Sequence, residues 1–311
     1  MKIFLAPMAG VTDAAFRILT REITGTRSMM FSEMISSTGI HYRNDKTFEM
    51  LSIIRAECPI AIQLFGSKPE YVGEAVEYVS TLENVSAIDF NMGCPAPKIV
   101  KNGEGSALMK DLTLAAKIFR AIRRSTDLPI GVKMRLGFDE INAVDAAQIA
   151  EDCGVNFITV HGRTRNEFYS GKAHWDEIAR VKAAVTIPVI ANGDVRDFDT
   201  FDEIIRVTGA DGVMIGRGAL GNPWLLGRLE HYVETGERLP PPSMSERIAA
   251  MKRHLDLLLE FKGEYVGIRE MRKHAAWYTK GLTGGALLRD QFNRAESREA
   301  FLKIISDMES D

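Results

Sequence analysis

Short apolar segments with β-strand character alternate along most of the chain with segments of helical periodicity. The strand candidates are IFLAPM (Ile3–Met8), MMFSEM (Met29–Met34), IAIQLFG (Ile60–Gly66), AIDFNM (Ala87–Met92), PIGVKMRLG (Pro129–Gly137), FITVHGR (Phe157–Arg163), PVIANGDV (Pro188–Val195) and GVMIGRG (Gly212–Gly218). The helix candidates between them are Pro69–Ser80, Leu112–Arg124, Ala143–Asp152, Trp175–Ala184 and Phe198–Val207. Eight such units in roughly 220–250 residues predict a (β/α)8 TIM barrel, with parallel strands inside and helices outside.

A doubly wound open sheet is the alternative interpretation of the same alternation. Residues 216–221 read G-x-G-x-x-G directly after a strand candidate, but no further strand follows to complete a β-α-β unit. In a barrel these glycines would instead suit a phosphate group, because the loops after strands seven and eight commonly bind one. We therefore favour the barrel.

A proline run at Leu239-Pro240-Pro241-Pro242 marks a change of pattern. Prolines cannot continue a helix and form a stiff connection. Beyond them the sequence predicts helices only, at Ser245–Phe261, Gly267–Lys280 and Ser297–Met308. We therefore expect residues 1–240 to form a catalytic barrel and residues 241–311 to form a small C-terminal helical bundle.

The charge balance and the cysteine count limit the class of protein. With 39 Lys+Arg against 42 Asp+Glu, the formal net charge is −3, so a nucleic-acid site would have to be a local patch. The three cysteines (Cys58, Cys94 and Cys153) are too few and too scattered for a disulfide framework or a metal site. We expect a reduced, cytoplasmic location, no metal, no membrane-spanning segment and no obligate protein partner.

Polar residues gather at the carboxyl ends of the strand candidates, although strands buried on both faces should be apolar. These residues are Glu33, Gln63, Asn91, Lys133, His161, Asn192 and Arg217. In a barrel the carboxyl ends of all strands surround one mouth, so these side chains should converge there. Lys133 is the most informative, because a buried lysine is costly unless it meets an anion or has a lowered pKa. For Gln63, Asn91 and His161, satisfaction of buried polar groups is an equally good interpretation.

Cys94 lies between Gly93 and Pro95, where a strand ends and a loop rich in Gly, Lys and Asn begins. Most unpaired cysteines are small buried hydrophobes, and Cys58 and Cys153 fit that description. A thiol at a strand end is instead placed to act as a nucleophile or a proton donor, which is the interpretation we favour.

Nine short motifs follow one another along nearly the whole chain. They are APMAGVTD (Ala6–Asp13), SEM (Ser32–Met34), FNMGCPAPK (Phe90–Lys98), NGEGSALM (Asn102–Met109), VKMRLG (Val132–Gly137), VHGRT (Val160–Thr164), PVIANGD (Pro188–Asp194), MIGRGALGNPW (Met214–Trp224) and KHAAWY (Lys273–Tyr278). In this order they resemble the bacterial tRNA-dihydrouridine synthases. The resemblance implies an FMN-dependent oxidoreductase that uses NADPH or NADH to reduce the C5–C6 double bond of uridine in tRNA.

The resemblance also implies roles for individual residues. The flavin ring would be contacted by Pro7, Met8, Ala9, Gln63, Lys133 and His161. Its ribityl chain and phosphate would be held by Asn192, Gly193, Asp194, Gly216 and Arg217. Cys94 would donate a proton to C5 from the face of the base opposite the flavin. Asn91 would hydrogen-bond the uracil edge, and Arg163 is a weaker candidate for the same task.

A basic stretch in the helical region is a candidate surface for the rest of the tRNA. Residues 262–280 contain five basic and two acidic side chains, with His274, Trp277 and Tyr278 interleaved. Taken alone, this pattern is more typical of an ordinary solvated helix. With the resemblance, the predicted phosphate contacts are Arg269, Arg272 and Lys273.

Two other functions remain open on the sequence. One is a flavin oxidoreductase that acts on a free pyrimidine or another small molecule, for which a helical region with a basic patch would be superfluous. The other is a tRNA-binding protein that has lost its catalysis, against which the intact Cys94 and Lys133 argue.

Overall fold

In the computed structural model, which describes residues 1–308, parallel strands close into a ring. The strands are β1 (Lys2–Leu5), β2 (Met30–Phe31), β3 (Ile35–Ser36), β4 (Ile60–Phe65), β5 (Val85–Met92), β6 (Ile130–Arg135), β7 (Phe157–His161), β8 (Val189–Asn192) and β9 (Gly212–Ile215). Closure occurs because β2 pairs with β1 on one side and with β4 on the other. The short β3 only adds to the carboxyl end of β4. The remaining eight strands confirm the predicted (β/α)8 barrel.

Helices separate the strands, and five of them lie where the sequence predicts helices. They are α1 (Ala14–Thr24), α2 (Ser37–His41), α3 (Asp45–Glu49), α4 (Pro69–Ser80), α5 (Pro97–Lys101), α6 (Leu112–Arg124), α7 (Ala143–Asp152), α8 (Trp175–Ala184), α9 (Phe198–Thr208), α10 (Trp224–Thr235), α11 (Met244–Tyr278), α12 (Gly285–Arg294) and α13 (Arg298–Asp307). Local capping accounts for several starts. Asp111 and Asp197 each accept a hydrogen bond at 2.9 Å from a backbone amide three residues later.

Two compact units make up the chain. The first contains Met1–Ala9 and Arg27–Gly216, and so holds all the strands. The second contains Gly10–Thr26 and the chain from Arg217 onward, and so holds α1 and α10 to α13. The division expected after residue 240 stays a prediction, because close packing does not test which segments fold independently.

Successive side chains of a strand point alternately into the barrel and away from it, which fixes the residues that line the interior. The rings of Phe4 on β1 and Phe157 on β7 lie 6.2 Å apart although these strands are not neighbours, so both point inward. They belong to an apolar cluster with Phe31, Ala61, Ala87, Ile190 and Met214. Residues two positions later on a strand point to the same side. Gln63, Asp89 and Thr159 therefore face inward just beyond this apolar layer.

The second unit has its own apolar core, to which α1, α10, α11, α12 and α13 all contribute. The helix α11 contains a kink at Gly263, where φ is 70° and ψ is 168°. Glycine tolerates this backbone conformation, and the kink lies within the gap predicted between two helices. The helix α12 was not predicted, and neither were α1, α2, α3, α5 and α10. No helix within residues 1–308 has the length and apolar character needed to cross a bilayer.

Two fully buried histidines touch each other in the core of the second unit. The ring centroids of His254 and His274 are 4.3 Å apart, and Phe16 stacks on His274 at 5.9 Å. Among the residues described, His254 Nε2 and both ring nitrogens of His274 lack a hydrogen-bond partner. His254 Nδ1 lies 3.3 Å from Tyr278 Oη. The pair therefore sits in surroundings that offer little stabilisation to a charged ring.

Burial lowers the pKa of His254 to about 4 and holds the pKa of His274 well below its ordinary value. The ammonium groups of Lys262 and Lys273 add repulsion to both rings, whereas Asp13 partly offsets it for His254. Asp13 is itself ion-paired with Lys262. Both imidazoles are therefore neutral in the folded protein near neutral pH.

We predict that acid destabilises the second unit through this pair. Below pH 6.5 the two histidines bind protons in the unfolded chain but stay neutral in the folded one. The free energy of unfolding therefore falls as the pH drops toward 4. The loss reaches about 3 kcal/mol for His254 alone. Substitution His274→Phe should make the urea midpoint, followed by tryptophan fluorescence, less dependent on pH between 6.5 and 5.

The control is His231→Gln, which alters a partly exposed histidine that pairs with Glu237 in the same unit. This variant should keep the wild-type pH dependence. Equal pH dependence in His274→Phe and the wild type would show that the buried pair does not control the acid response.

Candidate active site at the carboxyl ends of the strands

Lys133 occupies the middle of the polar interior of the barrel. It lies in register with Asn91 on β5 and with Thr159 on β7. Its Nζ donates a hydrogen bond to Asn192 Oδ1 at 3.0 Å, an amide rather than a carboxylate. Burial lowers the pKa of Lys133 to about 8, with a further contribution from Arg135 and opposition from Asp89 and Cys94. Most of the lysine is still cationic at pH 7, so this position favours an anionic group.

Gln63 links two residues of the neighbouring strand. Its Nε2 donates to Asp89 Oδ2 at 2.6 Å, and its Oε1 accepts from Asn91 Nδ2 at 2.9 Å. Within residues 1–308, Asp89 Oδ1 has no hydrogen-bond partner. Burial raises the pKa of Asp89 to about 7, against the opposing effects of Gln63 and Lys133. The three side chains thus form one hydrogen-bonded chain inside the barrel.

Asn91 continues this chain into the turn that carries Cys94. Its Oδ1 accepts hydrogen bonds from the backbone amides of Gly93 at 3.1 Å and Cys94 at 2.9 Å, as asparagine commonly does in turns. Arg135 Nε donates to Gly93 O at 2.8 Å. The amide and carbonyl groups just before the thiol are therefore both held by buried side chains.

The loop that follows holds Cys94 from the other side. The backbone amide and hydroxyl of Ser106 donate to Cys94 O at 3.0 and 2.9 Å. Gly105 has a φ of 59°, and a Cβ at this position would lie 2.9 Å from Cys94 O. A glycine is required there because the two backbone segments approach too closely for a side chain.

The surroundings of Cys94 favour the thiol over the thiolate. The residue is half-buried, and burial raises its pKa, whereas the Ala96 amide, Arg135 and Lys133 act in the opposite direction. The sulfur therefore keeps its proton at neutral pH. Of the two roles considered from the sequence, proton donor and nucleophile, this state suits the proton donor.

Arg163 and Asp194 are bonded to each other next to His161. Arg163 is 1% exposed, and its Nη2 donates to Asp194 Oδ2 at 2.7 Å and to Gly171 O at 2.8 Å. Asp194 Oδ2 also accepts from the Ala173 amide at 2.8 Å. These bonds attach the loop after β7 to the end of β8. The roles predicted for Arg163 toward uracil and for Asp194 toward a cofactor stay predictions.

Two glycines, Gly193 near His161 and Gly216 near the residues after β1, have no side chain to fill the space beside the backbone. Gly193 has a φ of 130°, and a Cβ there would lie 2.8 Å from Ala173 Cβ and 3.3 Å from His161 Cδ2. A Cβ on Gly216 would meet nothing closer than 3.8 Å. The predicted backbone contacts to a cofactor directly follow β1, with Pro7 and Met8 half-buried and Ala9 exposed.

The three basic residues predicted to bind tRNA differ in their surroundings within the second unit. Arg272 donates from Nε and Nη2 to Ala295 O, at the end of α12. Lys273 Nζ lies 3.8 Å from Glu270 Oε2. Arg269 is exposed and its guanidinium stacks on Tyr265, 3.6 Å from the ring centroid. Arg217 begins the second segment of this unit, and its predicted contact with phosphate stays a prediction.

Three residues of the site were not predicted from the sequence. Asp89 precedes Asn91 by two positions and Arg135 follows Lys133 by two positions, so period-two alternation would have placed both inside the barrel. Tyr169 is a third, with its ring 6.2 Å from the His161 ring and 5.4 Å from the Arg135 guanidinium. It belongs to an irregular loop, where no periodic signal exists.

The comparison with protein families agrees with this arrangement. A model of the dihydrouridine synthase (Dus) family matches residues 4–310. The chain belongs to the dihydrouridine synthase family. This membership confirms the resemblance seen in the motifs and identifies the chain as an enzyme of the oxidoreductase class.

Named relatives of this dihydrouridine synthase family member cover most of its length. A "probable tRNA-dihydrouridine synthase" from Rickettsia conorii is 44% identical over 294 residues, which are 94% of this chain and 88% of the relative. A "tRNA-dihydrouridine synthase B" from Xanthomonas campestris pv. campestris is 41% identical over 308 residues, 98% of this chain and 92% of that protein.

A distant structural likeness concerns the fold alone. The solved structure of histamine dehydrogenase from Rhizobium sp. 4-9 has a TM-score of 0.54 and 11% sequence identity to this family member. The match covers 82% of this chain and 49% of the dehydrogenase chain. The likeness therefore involves about half of that longer protein and supports the barrel architecture.

We predict that Cys94 is alkylated by iodoacetamide with a pH midpoint above that of the same cysteine in the urea-unfolded chain. The reason is that burial disfavours the thiolate, which is the reactive species. Peptide mass spectrometry would follow Cys94 separately from Cys58 and Cys153. Substitution Asn91→Ala should move the midpoint toward the unfolded value, because it releases the turn. A folded midpoint at or below the unfolded one would contradict this account.

Proposed function

We propose that this protein is a tRNA-dihydrouridine synthase that reduces the C5–C6 double bond of uridine in tRNA. In this proposal FMN is the bound cofactor, NADPH or NADH is the reductant, and Cys94 donates the proton to C5. Family membership and the named relatives support the reaction and the substrate. The observation that carries the role of Cys94 is the placement of its half-buried thiol just after β5, where hydrogen bonds hold its backbone on both sides.

The polar interior fits a flavin in charge and in hydrogen-bonding capacity. Lys133 provides a partly buried cation bonded to the amide oxygen of Asn192, and Thr159 Oγ1 and Asp89 Oδ1 have no partner within residues 1–308. A cation near the ring edge stabilises the anionic reduced form of a flavin. When bound, FMN supplies the hydride for uracil C6 and accepts a new one from the reduced nicotinamide.

The residues expected to hold the cofactor keep the roles implied by the resemblance. The ring would be held by Pro7, Met8, Ala9, Gln63, Lys133 and His161. The ribityl chain and phosphate would be held by Asn192, Gly193, Asp194, Gly216 and Arg217. Because Asp194 is an anion already paired with Arg163, it suits a ribityl hydroxyl better than a phosphate.

Residues of this chain carry out the proton transfer to the substrate. Hydride addition at C6 places negative charge on C5 and the adjoining carbonyl of uracil, and Cys94 Sγ–H donates its proton to C5. The thiolate that remains is stabilised by Arg135 and Lys133, the two cations that act on this sulfur, until solvent returns a proton. The buried Asn91 positions the donor by fixing the turn.

The substrate must present its base outside the RNA helix. A uridine stacked in folded RNA cannot enter a barrel mouth, so the nucleotide has to be turned outward. The exposed Arg269 is then a candidate for contacting phosphates elsewhere on the tRNA. The cytoplasmic location expected from the cysteine usage stays a prediction.

We predict that Cys94→Ala retains bound flavin and oxidises NADPH, but forms dihydrouridine about 10²- to 10⁴-fold more slowly, because the proton donor is missing. Dihydrouridine in an unmodified tRNA transcript would be measured by mass spectrometry of nucleosides. Free uridine as substrate tests the small-molecule alternative. Wild-type turnover by Cys94→Ala would exclude the proposed acid.

Substitution Lys133→Ala is expected to lower the rate of dihydrouridine formation about 10²-fold, because it removes a charge close to the reacting centre. Binding of tRNA, measured by fluorescence anisotropy, should change little. Arg180→Ala is a control, since Arg180 lies on the exposed face of α8 and pairs with Glu177. Unaltered kinetics in Lys133→Ala would count against its contact with the cofactor.

A further inference from the structure

Four side chains, two of them exposed and two half-buried, form a cluster beside the loop that carries Cys94. We call His41, Tyr42, Lys68 and Tyr71 the rim cluster. The rings of His41 and Tyr71 stack at 3.7 Å with an interplanar angle of 14°. Tyr42 meets them edge-on at 4.8 and 6.0 Å, and is 66% exposed. Large exposed aromatic groups that gather in one place usually mark an interaction site.

The rim cluster carries positive charge. Lys68 is exposed, and its Nζ lies 4.5 Å above the centroid of Tyr71 and 3.5 Å from Tyr71 Oη. The nearby carboxylate of Glu74 is engaged by His41 Nδ1 at 2.6 Å. Lys68 is therefore the cationic side chain of the rim cluster, and the carboxylate beside the rings, that of Glu74, is bonded to His41.

The barrel places the rim cluster on the side of the mouth. His41 ends α2, which starts directly after β3 at the carboxyl end of β4. Tyr71 lies in the first turn of α4, which starts four residues after β4. Since the carboxyl ends of barrel strands surround the active site, both helices begin at the mouth, and the short α2 keeps His41 within five residues of it.

A short path of contacts joins the rim cluster to the Cys94 loop. Ser67, which precedes Lys68, donates from Oγ to Asn102 O at 3.2 Å. Asn102 directly follows α5, the helix that begins three residues after Cys94 and carries the exposed Lys98 and Lys101. The exposed lysines of both segments thus extend from the rim cluster toward the thiol.

We propose that the rim cluster binds the substrate tRNA next to the reacting uridine, with an unpaired base on Tyr42 and a neighbouring phosphate on Lys68. This inference rests on the proposed function for the identity of the RNA. Aromatic rings stack on any base, and lysine neutralises a phosphate without reading sequence. When the target uridine is turned out of its stack, the neighbouring bases lose a stacking partner. One of these bases is the group that we expect to stack on Tyr42.

The test compares tRNA affinity of the full-length, flavin-loaded protein with that of single variants. An unmodified tRNA transcript would be titrated by fluorescence anisotropy at several KCl concentrations. Tyr42→Ala should bind about tenfold more weakly, whereas Tyr42→Phe should bind like the wild type, because the ring and not the hydroxyl makes the stack. Lys68→Ala should reduce the slope of log affinity against log salt by about one.

The matched control is Tyr78→Ala. Tyr78 is 39% exposed and lies on the same helix, α4, about 10 Å further from the rim cluster. This variant should bind tRNA like the wild type. Because Tyr42 is largely exposed, its replacement should leave the flavin content unchanged, and that content serves as a check of folding.

Formation of dihydrouridine, measured in the same samples, separates the two proposals. If the wild type forms dihydrouridine and Tyr42→Ala and Lys68→Ala keep its affinity and salt slope, the rim cluster proposal is overturned and the function stands. If the wild type binds tRNA but forms no dihydrouridine, the function is overturned, and the losses of affinity in the variants still support the rim cluster. A wild type that does not bind tRNA overturns both.

Discussion

Closure of the parallel sheet is the constraint on which the site depends. Once β2 pairs with both β1 and β4, each of the eight barrel strands has two neighbours in the ring, and all inward side chains share one enclosed space. The inner end of this space is apolar and contains Phe4 and Phe157. Two residues further along the strands, polar side chains replace apolar ones. They can be buried there because they bond to one another, as Gln63 does with Asp89 and Asn91.

The same enclosure explains the protonation states at the mouth. Burial disfavours charge on both an acid and a base, so it raises the pKa of Cys94 and lowers that of Lys133. The two groups also attract each other in their charged forms. Because the cations already lie near the sulfur, they stabilise the thiolate as soon as the thiol has given up its proton. That combination suits the delivery of a single proton to a substrate carbon.

Several polar residues at the mouth hold loops rather than facing an open cavity. Arg163 joins two loops through Asp194 and Gly171, and Arg135 holds Gly93. Buried arginines of this kind stabilise irregular backbone, whose carbonyl groups would otherwise lack partners. The second unit shows the same principle, since Arg272 bonds to the carbonyl of Ala295 at the end of α12. A charged residue in a functional motif can therefore have a structural task.

The sequence by itself determined the alternation of strands and helices that forms the barrel and the positions of several helices. Periodicity and capping are local properties, so four helices, including α4 and α6, have the predicted bounds. Period-two alternation also indicates that Asp89 points inward, because it lies two positions before Asn91 on the same strand. The nine motifs carried the family resemblance, because their order along the chain is specific even though each motif is short.

Only the tertiary structure decided which side chains meet. The bond of Asn91 to the Cys94 turn and the pairing of Arg163 with Asp194 involve irregular loops, and the contact of His254 with His274 joins the two parts of α11 on either side of the kink at Gly263. The rim cluster likewise needs α2 and α4 to lie side by side. Such contacts depend on chain closure and on loop conformation, and neither has a period that a linear sequence displays.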